Sequence, residues 1–157
     1  MLALNGWLDT IGLVDWARGS AHVYPWANVL HVLGVVLLVG GIAVVDLRII
    51  GVWQQLPAVA LSNALTPIAA AGLALQFGSG LVLFAADGEA LSGSGVLHAK
   101  LVLMALAIGN AAIFRLRWKS STAEELYFGS TLARASALFS LALWLAIAAV
   151  GRLIAYY

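Results

Sequence analysis

The sequence predicts an all-α integral membrane protein: a four-helix bundle with an N-terminal interfacial amphipathic helix, forming a single membrane domain over residues 1–157. Three observations carry this expectation. Hydrophobic residues make up 63% of the chain and charged residues only 10%, whereas soluble domains average about 45–50% and about 25%. The apolar residues gather into four long runs separated by charged or aromatic boundaries. A shorter stretch ahead of them alternates apolar and polar groups with helical spacing.

That leading stretch, residues 4–18, sets Leu4, Trp7, Leu8, Ile11, Leu13, Val14 and Trp16 among polar groups. It is too short and too charged to cross a bilayer, so it is expected to lie along the interface. Gly19 and Ser20 interrupt it. Tyr24-Pro25-Trp26 then opens the first span, at about 25–47, with proline suited to a first helical turn and the aromatics to the headgroup level. Asp46-Leu47-Arg48 closes that span, and Trp53 marks the next boundary. The second span, about 60–86, is expected to be distorted or to start near Pro67, and Asp87-Gly88-Glu89 ends it. The third, about 95–116, stops at Arg115, Arg117 and Lys119; a polar loop through Glu124 and Glu125 leads to the fourth, about 131–155. At about 1.5 Å per residue each run covers a hydrocarbon core about 30 Å thick.

Composition excludes several classes of function. Without cysteine there are no disulfides, iron–sulfur clusters, thiolate zinc sites or covalent c-type haem. A net charge of +1 offers no basic surface for nucleic acid. The spans show no nucleophile with a base, no phosphate loop, no HExxH pattern and no paired acids, which argues against a hydrolase or a nucleotide-driven pump. The first twenty residues carry Asp9 and Asp15 and no basic n-region, so no cleavable signal peptide is read. Arg48, Arg115, Arg117, Lys119 and Arg134 fall on one side of the bilayer, and Arg18 and Arg152 on the other. The positive-inside rule then puts both termini and the Asp87/Glu89 loop outside.

Two histidines carry the chemistry. His31 lies near the start of the first span and His98 near the start of the third, so alternating direction brings both to one leaflet. An ionisable group in a span is a functional candidate by default, and imidazole ligates haem iron and transition metals. His31 is roughly 9 Å inside the Pro25 boundary. It heads a stripe through Gly34, Leu38, Gly41 and Val45, and His98 heads one through Val102, Ala105, Gly109 and Ala112. Such stripes serve close helix packing or leave room for a flat macrocycle, and the sequence leaves both open. In the haem reading His31 and His98 clamp one haem b. Arg152, Lys100 or Arg18 then answers its propionates, with Arg152 best placed at the end of the fourth span. His22 is a reserve ligand.

Other polar residues have plainer readings. Lys100, two residues past His98, falls about 200° round the helix, on a different face. Gln76 and Asn110 suit interhelical hydrogen bonds, Trp144 suits core packing or the flank of a quinone or haem, and Asp46 with Arg48 suits a charge pair at the end of the first span.

Tyr24-Pro25, His31-x-x-Gly34, Gly40, Asp46-Leu47-Arg48-Ile49-Ile50-Gly51, Lys100 and Asn110 together resemble a bacterial family of small four-helix membrane proteins of unassigned function. More distantly the pattern is similar to the membrane part of copper-resistance D-type proteins and to four-helix b-type cytochromes. The resemblance covers roughly residues 20–115 and does not include His98. An acidic residue often stands three before the first-span histidine in that family, where this chain has Asn28. The missing carboxylate weighs against copper import.

The expectation is therefore a b-type haem protein of a bacterial inner membrane, both termini periplasmic. It would pass electrons between the quinone pool and a periplasmic partner, as a subunit of an oxidoreductase rather than an enzyme by itself. The alternatives are a cofactor-free accessory subunit docked within the bilayer, and transport of copper or another transition metal through His31, His22 and His98. Soft Cu(I) prefers sulfur ligands, and of the two methionines only Met104 lies in a span.

Overall fold

The computed structural model describes residues 2–119 and 129–154, all of whose regular elements are helices. The polar loop through Glu124 and Glu125, and residue 155 of the expected fourth span, lie outside the described residues. In chain order the elements are α1 (Leu2–Thr10), α2 (Leu13–Gly19), α3 (Val23–Ile50), α4 (Ala58–Ser92), α5 (Gly95–Lys119) and α6 (Thr131–Leu153). Four of them contain stretches long and apolar enough to cross a membrane: Val23–Ile50, Ala58–Gly88, Gly95–Arg117 and Thr131–Leu153. Their outward faces carry Leu33, Phe77, Val102, Leu116 and Phe139, all exposed. Helices close their own backbone hydrogen bonds and turn such side chains to lipid, so this is an integral membrane helical bundle.

The expected interfacial helix is two helices. Gly12 adopts a left-handed φ of 74°, and its N–H returns to the Asp9 carbonyl at 2.9 Å. The turn folds α2 back so that Leu8, Val14 and Ala17 bury against Phe84 and Ala85 of α4. Leu8 and Val14 of the predicted stripe are thus spent on the bundle, while Leu4, Trp7, Ile11 and Trp16 stay exposed, as a helix at a lipid interface requires.

In α3, Pro25 falls in the first turn, where its missing N–H is one that would have no helical partner. The helix ends at Gly51, whose φ of 125° only glycine adopts with ease, and the N–H groups of Gly51 and Val52 both return to Leu47 O. Arg48 does not pair with Asp46 as expected. Its guanidinium spans the following turn, donating to Leu56 O at 2.6 Å and Gln54 O at 3.0 Å, while Asp46 turns into the bundle and is buried.

Helix α4 runs through Pro67 with helical backbone angles, and its one irregular residue is Asp87 (φ −119°, ψ 18°). The distortion expected at Pro67 therefore sits twenty residues later, where α1 and α2 dock. Arg18 Nε donates to Ala86 O there at 2.8 Å, satisfying a carbonyl beside the break. Ser130 caps α6 by accepting from Ala133 N–H at 3.2 Å.

Helix α3 packs against both α4 and α6, and α5 lies on α6. The closest approach is between α3 and α4. A Cβ on Gly34 would stand 3.0 Å from both Gln76 N and Gly72 O; one on Gly41 would stand 3.3 Å from Leu65 O. Gly34 and Gly41 are therefore taken up in helix–helix contact, the packing alternative of the sequence reading. Leu38, Ala69, Met104, Ala107, Leu143, Trp144 and Ile147 form the central core, with residues from all four long helices.

Candidate functional site

Helix α3 carries His31 on the face turned toward α4, where Gln76 and Ser79 stand three residues apart on one helical stripe. Gln76 Nε2 donates to the His31 carbonyl at 2.6 Å, so this amide ties the two backbones together. His31 Nδ1 lies 2.9 Å from Ser79 Oγ. A hydroxyl has one proton, and that of Ser79 is directed to Leu75 O at 2.6 Å. Ser79 therefore accepts from Nδ1–H, which fixes the tautomer and leaves the Nε2 lone pair facing away from α4.

The group that meets Nε2 comes from the third span. Lys100 Nζ stands 3.4 Å from His31 Nε2 and donates to it. Two glycines make this possible. A Cβ on Gly80 would lie 3.3 Å from His31 Cε1, and one on Gly151 would lie 3.3 Å from Lys100 Nζ and 3.4 Å from its Cε. The imidazole rests on α4 and the lysine stem on α6, each against bare backbone.

The His31–Lys100 pair faces a cavity of about 330 Å³ between α3, α5 and α6. Val35, Val39, Met104 and Ile147 give it apolar walls, with Trp144 at one end and Asn28 and Arg152 among its polar lining. The arrangement sets a nitrogen lone pair beside an ammonium donor, with a second cation in the same lining. Lys100 occupies the Nε2 lone pair here, so a ligand hydroxyl reaches that nitrogen only when the lysine turns from it to the ligand oxygen; Nε2 then takes the proton and Lys100 holds the oxygen that loses it.

Of the residues singled out in the sequence, the structure thus brings together His31, Lys100 and Arg152. It does not bring His98 to them. His98 is exposed, its Nδ1 is 2.7 Å from the O of Ser94, the residue just ahead of its own helix, and it does not line the cavity. The 200° offset between His98 and Lys100 accounts for this: with Lys100 turned inward, His98 faces out. His22 precedes α3, exposed, its backbone N–H 3.4 Å from Ser20 Oγ. Gly34 lies in the α3–α4 seam, and Gly41 lines a different cavity, toward the Asp46 end. Among the described residues no three His, Asp or Glu side chains converge as a metal site.

Sequence reasoning missed Ser79, Gly80 and Gly151. The signal for the first two was the run Gly72, Gln76, Ser79, Gly80, a small and polar stripe in an otherwise apolar span. Comparison of the chain with protein-family models, with curated proteins and with solved structures finds no match.

Proposed function

We propose that the protein is the membrane subunit of a redox complex, binding a quinol or quinone headgroup at His31 and exchanging electrons with a partner protein. The observation that carries this reading is the acceptor and donor, His31 Nε2 and Lys100 Nζ, 3.4 Å apart and facing one apolar-walled cavity. A quinol must lose two electrons and two protons to become a quinone. His31 Nε2 takes the first proton and Lys100 stabilises the oxyanion left behind. The two electrons pass one at a time to a one-electron acceptor in the partner that is reoxidised between the two transfers, and the second proton, with the one held on His31, is released to water outside the bundle. A volume of about 330 Å³ stands at the small end of the ~300–1,000 Å³ range of ligand sites, which suits a single ring. With the basic cluster inside, this end of the bundle faces the periplasm.

Haem b keeps one observation in its favour: a ligating histidine characteristically has its other nitrogen held by a hydrogen bond, as Ser79 holds Nδ1 here. The residues present do not otherwise fit a two-histidine haem. His98 is turned away, and a macrocycle would force the walls of the cavity apart.

The test is titration of detergent-purified protein with a short-chain quinol, for wild type and His31→Ala, alongside a pyridine haemochrome assay. Saturable binding that weakens about tenfold or more in His31→Ala is the expected result. A wild type that binds no quinol overturns the reading, and a haemochrome signal abolished by His31→Ala would replace it with haem.

A further inference from the structure

The cavity beside His31 and Lys100 is closed on several sides by close packing. Toward α4, a Cβ on Gly34 would stand 3.0 Å from Gln76 N, and the imidazole covers Gly80, so α3 and α4 leave no gap there. Between α5 and α6, the Lys100 stem lies on Gly151, whose Cβ would meet Nζ at 3.3 Å. Leu38 and Trp144 form the inner end, 4% and 2% exposed. The side between α3 and α6 is different. Val32 and Val36, one turn apart on α3, line the cavity and are each 61% exposed. A side chain that only walls a closed chamber shows it one face, so valines this exposed stand on a rim. On α6 the lining continues through Ala148 and Gly151, which are too small to reach across.

This rim lies at the level of acyl chains. Counted from Pro25 at about 1.5 Å per residue, Val32 and Val36 are roughly 10–16 Å into a hydrocarbon core about 30 Å thick. A chamber of about 330 Å³ holds one ring and little beyond it. A longer substituent must therefore leave, and the two exits differ in chemistry. At the outer end stand Asn28 and Arg152, polar and exposed; at the side stand valine and alanine. A hydrocarbon tail stays among apolar groups when it passes from aliphatic walls into lipid, and is driven from water and charged headgroups at the other exit.

We infer that the ring held by His31 and Lys100 carries a hydrocarbon tail that leaves the bundle between α3 and α6, over Val32 and Val36, so that the ligand is taken from the bilayer and released to it. The inference rests on the quinol reading of this cavity. It adds the class of substrate, a tailed ring dissolved in the membrane, and the side on which that substrate enters.

The experiment uses the full chain in lipid nanodiscs and a quinol whose alkyl tail carries a photoactivatable diazirine close to the ring. The sample is irradiated with and without excess tail-less quinol, and labelled residues are located by mass spectrometry. The expected result is labelling of Val32 and Val36 on α3 and of Ala148 on α6 that falls about tenfold or more when the tail-less quinol competes. Val36→Trp narrows the opening and should weaken the tailed quinol by about tenfold while the tail-less quinol binds as it does to wild type. Displaceable labels on other helices alone would show that the tail leaves elsewhere, overturning this inference while the quinol reading stands. Labels that persist although the tail-less quinol binds mark lipid-facing contact only and overturn it too. Equal weakening of both quinols in Val36→Trp would put that side chain against the ring and remove the exit assigned to it. A tail-less quinol that does not bind at all removes the quinol reading, and this inference with it.

Discussion

Gly72→Ala is the substitution whose effect the geometry fixes most tightly. A Cβ at that position would lie 2.5 Å from Leu38 N, 2.9 Å from Gly34 O and 2.9 Å from Leu37 Cβ. Two of these are backbone atoms, so no rotamer change relieves the overlap. Ordinary contact begins near 3.4 Å, so α3 and α4 must part by about 0.9 Å at this level. The same movement stretches the Gln76–His31 carbonyl bond, now 2.6 Å, to the limit of a useful hydrogen bond. Overpacking costs about 1–3 kcal/mol, and a weakened interhelical hydrogen bond adds about 0.6 kcal/mol. Alanine recovers about 1 kcal/mol of helix propensity, leaving a net loss of roughly 0.5–2.5 kcal/mol. Gly78→Ala is the matched control on the same helix. Its Cβ meets nothing within 4 Å, so it should gain about 0.5–1 kcal/mol. Reversible unfolding in mixed detergent–SDS micelles, followed by tryptophan fluorescence, should separate the two variants by about 1–3.5 kcal/mol. Equal stabilities would refute the claim that Gly72 is present for close backbone contact.

Other consequences follow from the same contacts. Ser79→Ala removes the acceptor that fixes His31 and should weaken quinol binding by about three- to tenfold without unfolding the bundle, read by titration and by the unfolding midpoint. Gly151→Ala brings a methyl to 3.3 Å from Lys100 Nζ; the flexible lysine end gives way, so stability should hold while quinol affinity falls. Asn110 donates to Ser136 O and accepts from Ser136 Oγ across α5 and α6. Asn110→Leu should cost about 0.6–1.7 kcal/mol in the micelle assay, and no change would show that this pair holds nothing together. Arg18→Ala breaks the bond to Ala86 O and should speed hydrogen exchange in α1 and α2 while leaving the spans protected.

Much of the bundle was legible because the bilayer imposes length and apolarity directly on the sequence. The four runs and the stop of the third near Arg117 follow from that constraint, whereas the first runs on to Ile50, past the boundary expected at Asp46-Leu47-Arg48. The contacts between helices were less legible. A stripe such as His31-Gly34-Leu38-Gly41 reads the same whether it faces a cofactor or another backbone, and only the partner helix decides. Here Gly72 and Ala69 occupy the space opposite Gly34 and Gly41. His98 shows the same limit from the other side. Leaflet level was readable from span direction, but azimuth was not, and it is azimuth that puts Lys100 rather than His98 beside His31. The docking of α1 and α2 on α4 was hidden because an amphipathic stripe suits a lipid interface and a protein face equally well.

The central claim is that His31 and Lys100 act together on one ligand, and a double-mutant cycle measures that most directly. Short-chain quinol affinity would be determined for wild type, His31→Ala, Lys100→Met and the double variant, with the unfolding midpoint confirming that each is folded. The account predicts that each single change weakens binding by about tenfold and that the double change costs clearly less than the product, because each residue acts through the other. Losses that multiply independently, or single variants that bind as wild type does, would contradict it.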